Sequence, residues 1–195
     1  INSEAGTNLV FSIDALSHDS YIGVPKGEGD LAIWPTGYLN FSADAAGLEG
    51  EIVLMPGDIV NDALHLVKSP VVLQIRGGNI IEIVGESSDA NLLKAQLESF
   101  ADREHAYMLK GFSIGLLYFR GDYFSGPFDP EKVNAIDTTL RGGWTTLNFG
   151  NDIANSLSVT LTSPNLLLDN VEIFLNGDFA ATMEPDIYEL ALMGL

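Results

Sequence analysis

The chain has 195 residues, 46% of them hydrophobic, with nine Lys and Arg set against 27 Asp and Glu and no cysteine. This length and a mean hydropathy of +0.18 fit one folded domain spanning 1–195 and exclude disorder. The net charge of −18 repels phosphate backbones and anionic bilayers and so argues against them as partners, and the missing cysteines exclude disulfides, thiolate metal sites and thiol nucleophiles. No apolar run approaches the roughly 18–20 residues of a spanning helix, so the expectation is a cytoplasmic protein with no nucleic-acid partner and no membrane.

In chain order, "NLVFSID" (Asn8 to Asp14) alternates as a strand and places Leu9, Phe11 and Ile13 on one face. "KGEGD" and "PTG" punctuate the next region into short loops around Ile33 and Trp34, and "YLNFSA" and "GEIVLMPG" add two strands. The clearest hairpin is "VVLQIRGGNIIEIVG", whose two β-branched runs meet at Gly77-Gly78, a pair able to take the positive φ of a tight primed turn. "SSDANLLKAQLESFADR" then reads as a helix capped by Ser88, with Leu93, Leu97 and Phe100 on one face. A second helix is expected in "DPEKVNAIDTTLRGG", with Asp129 as cap, Pro130 in the first turn and Gly142-Gly143 as the stop. "GFSIGLLYF", "WTTLNFG", "SLSVTLTS" and a closing hairpin across Asn176-Gly177 are strands. About ten short strands with two helices indicate an α+β class, a β-rich mixed sheet rolled towards a barrel with two main helices.

Residues able to carry chemistry are sparse. His18, His65 and His105 are scattered without metal-ligand spacing, and a structural role is the default for each. Glu28 and Asp30 in the Gly-rich "KGEGD" loop are the best local carboxylate pair, suited at most to a hard cation. No nucleophile elbow or phosphate-cradling loop occurs. Trp34, Phe112, Tyr118, Tyr123, Phe124 and Phe128 are the candidates for a recognition surface, because "YFRGDYFSGPFDP" is too punctuated by Gly and Pro for one strand.

Taken in order, "GTNLVFSI", "VPKGEGDLAIWPTG", "GGNIIEIVGESSDANLLKAQL", "AYMLKGFSIGL" and "SPNLLLDNVEIFLNGDF" resemble a C-terminal catalytic domain. It is shared by the M29 (aminopeptidase T type) metallopeptidases and the iron-dependent 2,5-dihydroxypyridine dioxygenases. The resemblance implies an iron-binding His just before the Gly-rich strand, where this chain has Lys110 and Gly111. It implies a later His-x-Asp pair, which falls on Ser163 and Asn165. Of the peptidase ligands only Glu28 has a counterpart, and no His follows His105.

These departures lead to the expectation of a pseudoenzyme with no catalytic residue, no metal and no cofactor. The chain is similar to the small peptide-binding proteins of crocagin-type ribosomal-peptide pathways. That likeness implies a homodimer that holds a precursor peptide, with pathway tailoring enzymes as further partners. Two alternatives are a metal-dependent hydrolase or dioxygenase with an atypical carboxylate-rich site around Glu28 and Asp30, and a structural subunit of a hetero-oligomer.

Overall fold

The computed structural model describes residues 1–21, 27–29, 37–44, 46–60, 65–100, 103–116, 142–150 and 156–181. Fourteen strands and two helices follow one another within them. β1 (Asn8–Leu9), β4 (Glu49–Leu54), β7 (Val71–Arg76) and β8 (Asn79–Val84) form a four-stranded sheet in the order β1-β4-β7-β8. A seven-stranded sheet takes in β2 (Ser12–Tyr21), β3 (Tyr38–Asp44), β9 (Leu109–Gly115), β10 (Thr145–Gly150), β11 (Ser156–Leu161), β5 (Ile59–Val60) and β6 (His65–Leu66), paired in that order. A small third sheet is the meander β12 (Leu166–Leu168), β13 (Val171–Leu175) and β14 (Asp178–Phe179).

Two hairpins form as the turn chemistry demands. Gly77 and Gly78 carry φ of 54° and 75° and join Arg76 to Asn79, while Asn176 and Gly177 carry 50° and 80° and join Leu175 to Asp178. A third primed turn, Asp169-Asn170 with φ of 48° and 66°, joins β12 to β13 without any glycine; short Asx side chains tolerate this region by bonding locally. Helix α1 (Ser88–Ser99) presents Leu93 and Leu97 to the core. Its cap is Ser87, one residue earlier than expected, with Oγ accepting the Ala90 N–H at 3.2 Å. The single turn α2 (Arg103–Ala106) carries His105.

One core fills the space between the sheets. Ile52, Leu54, Leu73 and Ile83 from the four-stranded sheet meet Phe112, Leu147, Phe149 and Val159 from the seven-stranded one, and Leu93, Leu97, Leu166 and Phe174 join them.

Four expectations are corrected. The described sheets are not mixed: every strand ladder is antiparallel. Among the described residues β2 and β6 end the seven-stranded order without pairing to each other, so no barrel closes. The fold is thus mostly β with few helices, and the second main helix expected from Asp129 lies outside the described residues apart from its Gly142-Gly143 stop. The strand foreseen across Asn8 to Asp14 is also divided. It changes sheet at Val10, which is 81% exposed, although Leu9, Phe11 and Ile13 do face the core.

Candidate functional site

The described residues form a cleft of about 470 Å3 where the two larger sheets part. Its walls are the N-terminal turn Ser3–Ala5, Val53 with the turn that follows β4 (Met55, Pro56 and Asp58), the exit of β11 from Leu161 to Pro164, and Asn176 of the last hairpin. Val53, Met55, Pro56, Leu161 and Pro164 supply an apolar lining, whereas Ser3, Glu4, Ser163 and Asn176 supply hydroxyl, carboxylate and amide groups. Among the described residues no Lys or Arg lines it.

Three side chains bind the cleft's frame together. Thr7 is buried, and its Oγ1 accepts the Val53 N–H at 2.9 Å and donates to the Val53 carbonyl at 3.2 Å. Asn165 pairs with Asn2 through both backbone N–H groups at 2.7 and 3.0 Å. Its Nδ2 donates to Asn2 Oδ1 at 2.8 Å and its Oδ1 accepts the Asn176 N–H at 2.7 Å. Asp58 accepts the Met55 N–H at Oδ2 (2.8 Å), and the Thr162 N–H and O–H at Oδ1 (2.8 and 3.0 Å). Burial pushes the Asp58 carboxyl above its ordinary range, against the pull of the Met55 and Thr162 hydrogen bonds.

The structure separates the four positions singled out by the family likeness. Ser163 is exposed and lines the cleft; Asn165 is committed, at both ends of its amide, to the frame. Lys110 and Gly111 are elsewhere. Gly111 is level with Asn148 and Ser158 across the ladders of β9, β10 and β11, and Ser163 is five residues further on, about 17 Å of extended chain. Lys110 Nζ contacts Met108 Sδ at 3.3 Å. A Cβ on Gly111 would collide with the Phe41 carbonyl oxygen of β3. Gly111→Ala is therefore expected to force the β3–β9 ladder apart and lower stability by about 1–3 kcal/mol, read from the midpoint of urea unfolding; an unchanged midpoint would count against this packing.

Of the recognition candidates, Phe112 is corrected to a core residue. It is 1% exposed, stacked on Phe41 at 5.0 Å and met edge-on by Phe11 at 5.7 Å. Trp34, Tyr118, Tyr123, Phe124 and Phe128 lie outside the described residues, as does Asp30, and Glu28 stands exposed in a turn. Sequence reasoning missed Thr7 and Asp58. Each looks ordinary on the page because its partners lie 46 and 104 residues away.

The iron implied by the resemblance needs two imidazoles and a carboxylate converging on open positions. The carboxylates of the cleft are Glu4 and Asp58, and Asp58 already accepts three hydrogen bonds. His65 is turned to Asp89, His18 sits on β2 and His105 on α2, and none of them lines the cleft. Among the described residues no three metal-ligating side chains come together. The described donors at the cleft do not fit an iron centre.

A family model described as NicX, 2,5-dihydroxypyridine 5,6-dioxygenase, matches residues 1–123. The solved structure of 2,5-dihydroxypyridine dioxygenase from Pseudomonas putida KT2440 superposes with a TM-score of 0.63 at 24% identity. The overlap covers 76% of this chain and 44% of that one, so the chain spans less than half the length of that enzyme. At this identity the likeness speaks to the fold alone. No curated protein matches the sequence. The dioxygenase side of the resemblance is the side these matches support, and they overturn the expectation of a pseudoenzyme, because the matching family is one of enzymes. With the family model matched over more than half of its residues, the chain belongs to the 2,5-dihydroxypyridine 5,6-dioxygenase family.

Proposed function

We propose that the chain provides the substrate-holding sheet domain of a dioxygenase-type enzyme, and that the cleft receives a small hydroxylated ring. The observation that carries this reading is the cleft itself. It lies at the exit of β11, where the family likeness places its late ligand pair, and it sets an apolar wall against hydroxyl, amide and carboxylate acceptors. A ring would bury its faces on Val53, Met55 and Leu161 while its O–H groups donate to Glu4 and to the Asn176 and Ser163 oxygens. With no cation among its described lining residues, and under a net charge of −18, the cleft favours neutral over anionic ligands.

Titration with 2,5-dihydroxypyridine tests the reading, followed by amide NMR. Shifts should cluster at Ser3–Ala5, Met55–Asp58, Ser163 and Asn176; shifts spread evenly over the chain, or none at millimolar ligand, would overturn it. A peptide ligand is the less favoured occupant: the one described residue proposed to grip it, Phe112, is buried in the core.

A further inference from the structure

The ladders on either side of the cleft both stop at one side chain. The β4–β7 ladder ends at the pair Leu54 and Val71, which leaves the Met55 N–H as the next donor. The β5–β11 ladder runs through Ile59–Thr160 and Val60–Val159, and the next donor beyond its end is the Thr162 N–H. Neither goes to a backbone carbonyl across the ladder; both go to the carboxylate of Asp58. The backbone of Asp58 is itself engaged, its N–H donating to the Met55 carbonyl and its carbonyl accepting the Val67 N–H. Asp58 is only 6% exposed where it lines the cleft.

We infer that Asp58 is a positioning residue of the cleft: one carboxylate ends two ladders in two different sheets and so fixes the distance between the Met55–Pro56 wall and the Thr162–Pro164 wall. This rests on the reading that the cleft holds the substrate. A carboxylate suits the task because both of its oxygens only accept, and all the donors that reach it are N–H or O–H. An amide does not, because its NH2 can face only one side. In Asp58→Asn the amide oxygen can serve only one wall, so either the Met55 N–H or the Thr162 N–H meets the NH2 donor to donor. In Asp58→Glu the acceptor chemistry survives but an added methylene pushes the walls apart.

The experiment combines amide hydrogen exchange with 2,5-dihydroxypyridine affinity in the full chain and in Asp58→Asn, Asp58→Glu and Thr162→Val. Leu93→Ala, in α1, serves as the control for lost stability alone. Asp58→Asn should speed exchange about tenfold or more at one of the two amides, Met55 or Thr162, while the other stays protected, and should weaken ligand binding about tenfold, the equivalent of one lost hydrogen bond. Asp58→Glu should weaken binding with both amides still protected. Leu93→Ala should leave affinity at the wild-type value. If Asp58→Asn does not fold, Thr162→Val, which removes only the hydroxyl donor, should still lower affinity severalfold. Equal losses of affinity in Asp58→Asn and Leu93→Ala would overturn the inference, as would unchanged exchange at both Met55 and Thr162. If wild-type protein fails to bind the ring, the ligand assignment falls, and the exchange pattern at Met55 and Thr162 still decides whether Asp58 holds the walls.

Discussion

Phe112→Ala should lower the stability of the protein by about 3–5 kcal/mol, the range for truncating a fully buried aromatic ring. The ring is packed on two faces, stacked on Phe41 and met edge-on by Phe11. It sits at the centre of the seven-stranded sheet opposite Leu147, and the surrounding strands are held by ladders on both sides, so the hole cannot collapse easily. Phe112→Leu should recover a large part of the loss. The measurement is equilibrium urea unfolding with the slope held constant. A loss below about 1 kcal/mol would mean that the ring is not where the core requires it, and would reopen a surface role for it.

Asp89 should be nearly as sensitive, for a polar reason. It is 1% exposed in the first turn of α1, yet it accepts from His65 Nε2 at 2.5 Å, from the Ser69 N–H at 2.8 Å and from the Lys68 N–H at 3.2 Å. Burial acts to raise its pKa; the His65 hydrogen bond, the Ser69 and Lys68 N–H groups and the His65 charge outweigh that, and hold it below the ordinary value. Asp89→Ala strands two backbone donors at about 1–3 kcal/mol each, so a total of about 2–6 kcal/mol is expected. Asp89→Asn keeps an acceptor for the two N–H groups and can offer its NH2 to His65 in the other tautomer, so its smaller deficit isolates the charge.

The pH dependence follows from the direction of the shift. A folded value below 3.8 means the unfolded chain binds the proton more readily. The stabilisation is complete above pH 3.8 and is lost as pH falls through the folded value. Wild type and Asp89→Asn should therefore differ at neutral pH and converge in acid. Asp58 has the opposite sign: its folded value is raised, so from 3.8 up to that value its contribution falls as pH rises and is constant beyond it. Parallel curves for wild type and Asp89→Asn down to pH 2 would refute the assignment of the carboxylate.

What could be read from the sequence was local. Gly77-Gly78 and Asn176-Gly177 announce their turns because positive φ at two successive positions is affordable to few residues. Leu93 and Leu97 announce the buried face of α1 by spacing alone. The break at Val10 left no trace, since alternation runs unbroken through it and only the competition of two sheets for the chain divides Leu9 from Ser12. Phe112 misled because an aromatic between Gly111 and Ser113 has the same letters in a core strand as on a binding surface. The cleft was illegible for a related reason. Ser163 was noticed, but for a metal, and Asn165 for the same metal, whereas the framework set by Thr7, Asp58 and Asn165 exists only once distant segments meet.

That framework has a temporal side. Asn2 is joined to Asn165 and Asp58 to Thr162, so these two links across the cleft cannot form until the segment at 162–165 has been made, although Thr7 can meet Val53 well before that. Hairpins such as β7–β8 can close as soon as they emerge, whereas contacts of such long sequence separation form late and slowly. The two walls of the cleft are thus joined later than the β4–β7 ladder that supports one of them, as a late step of folding.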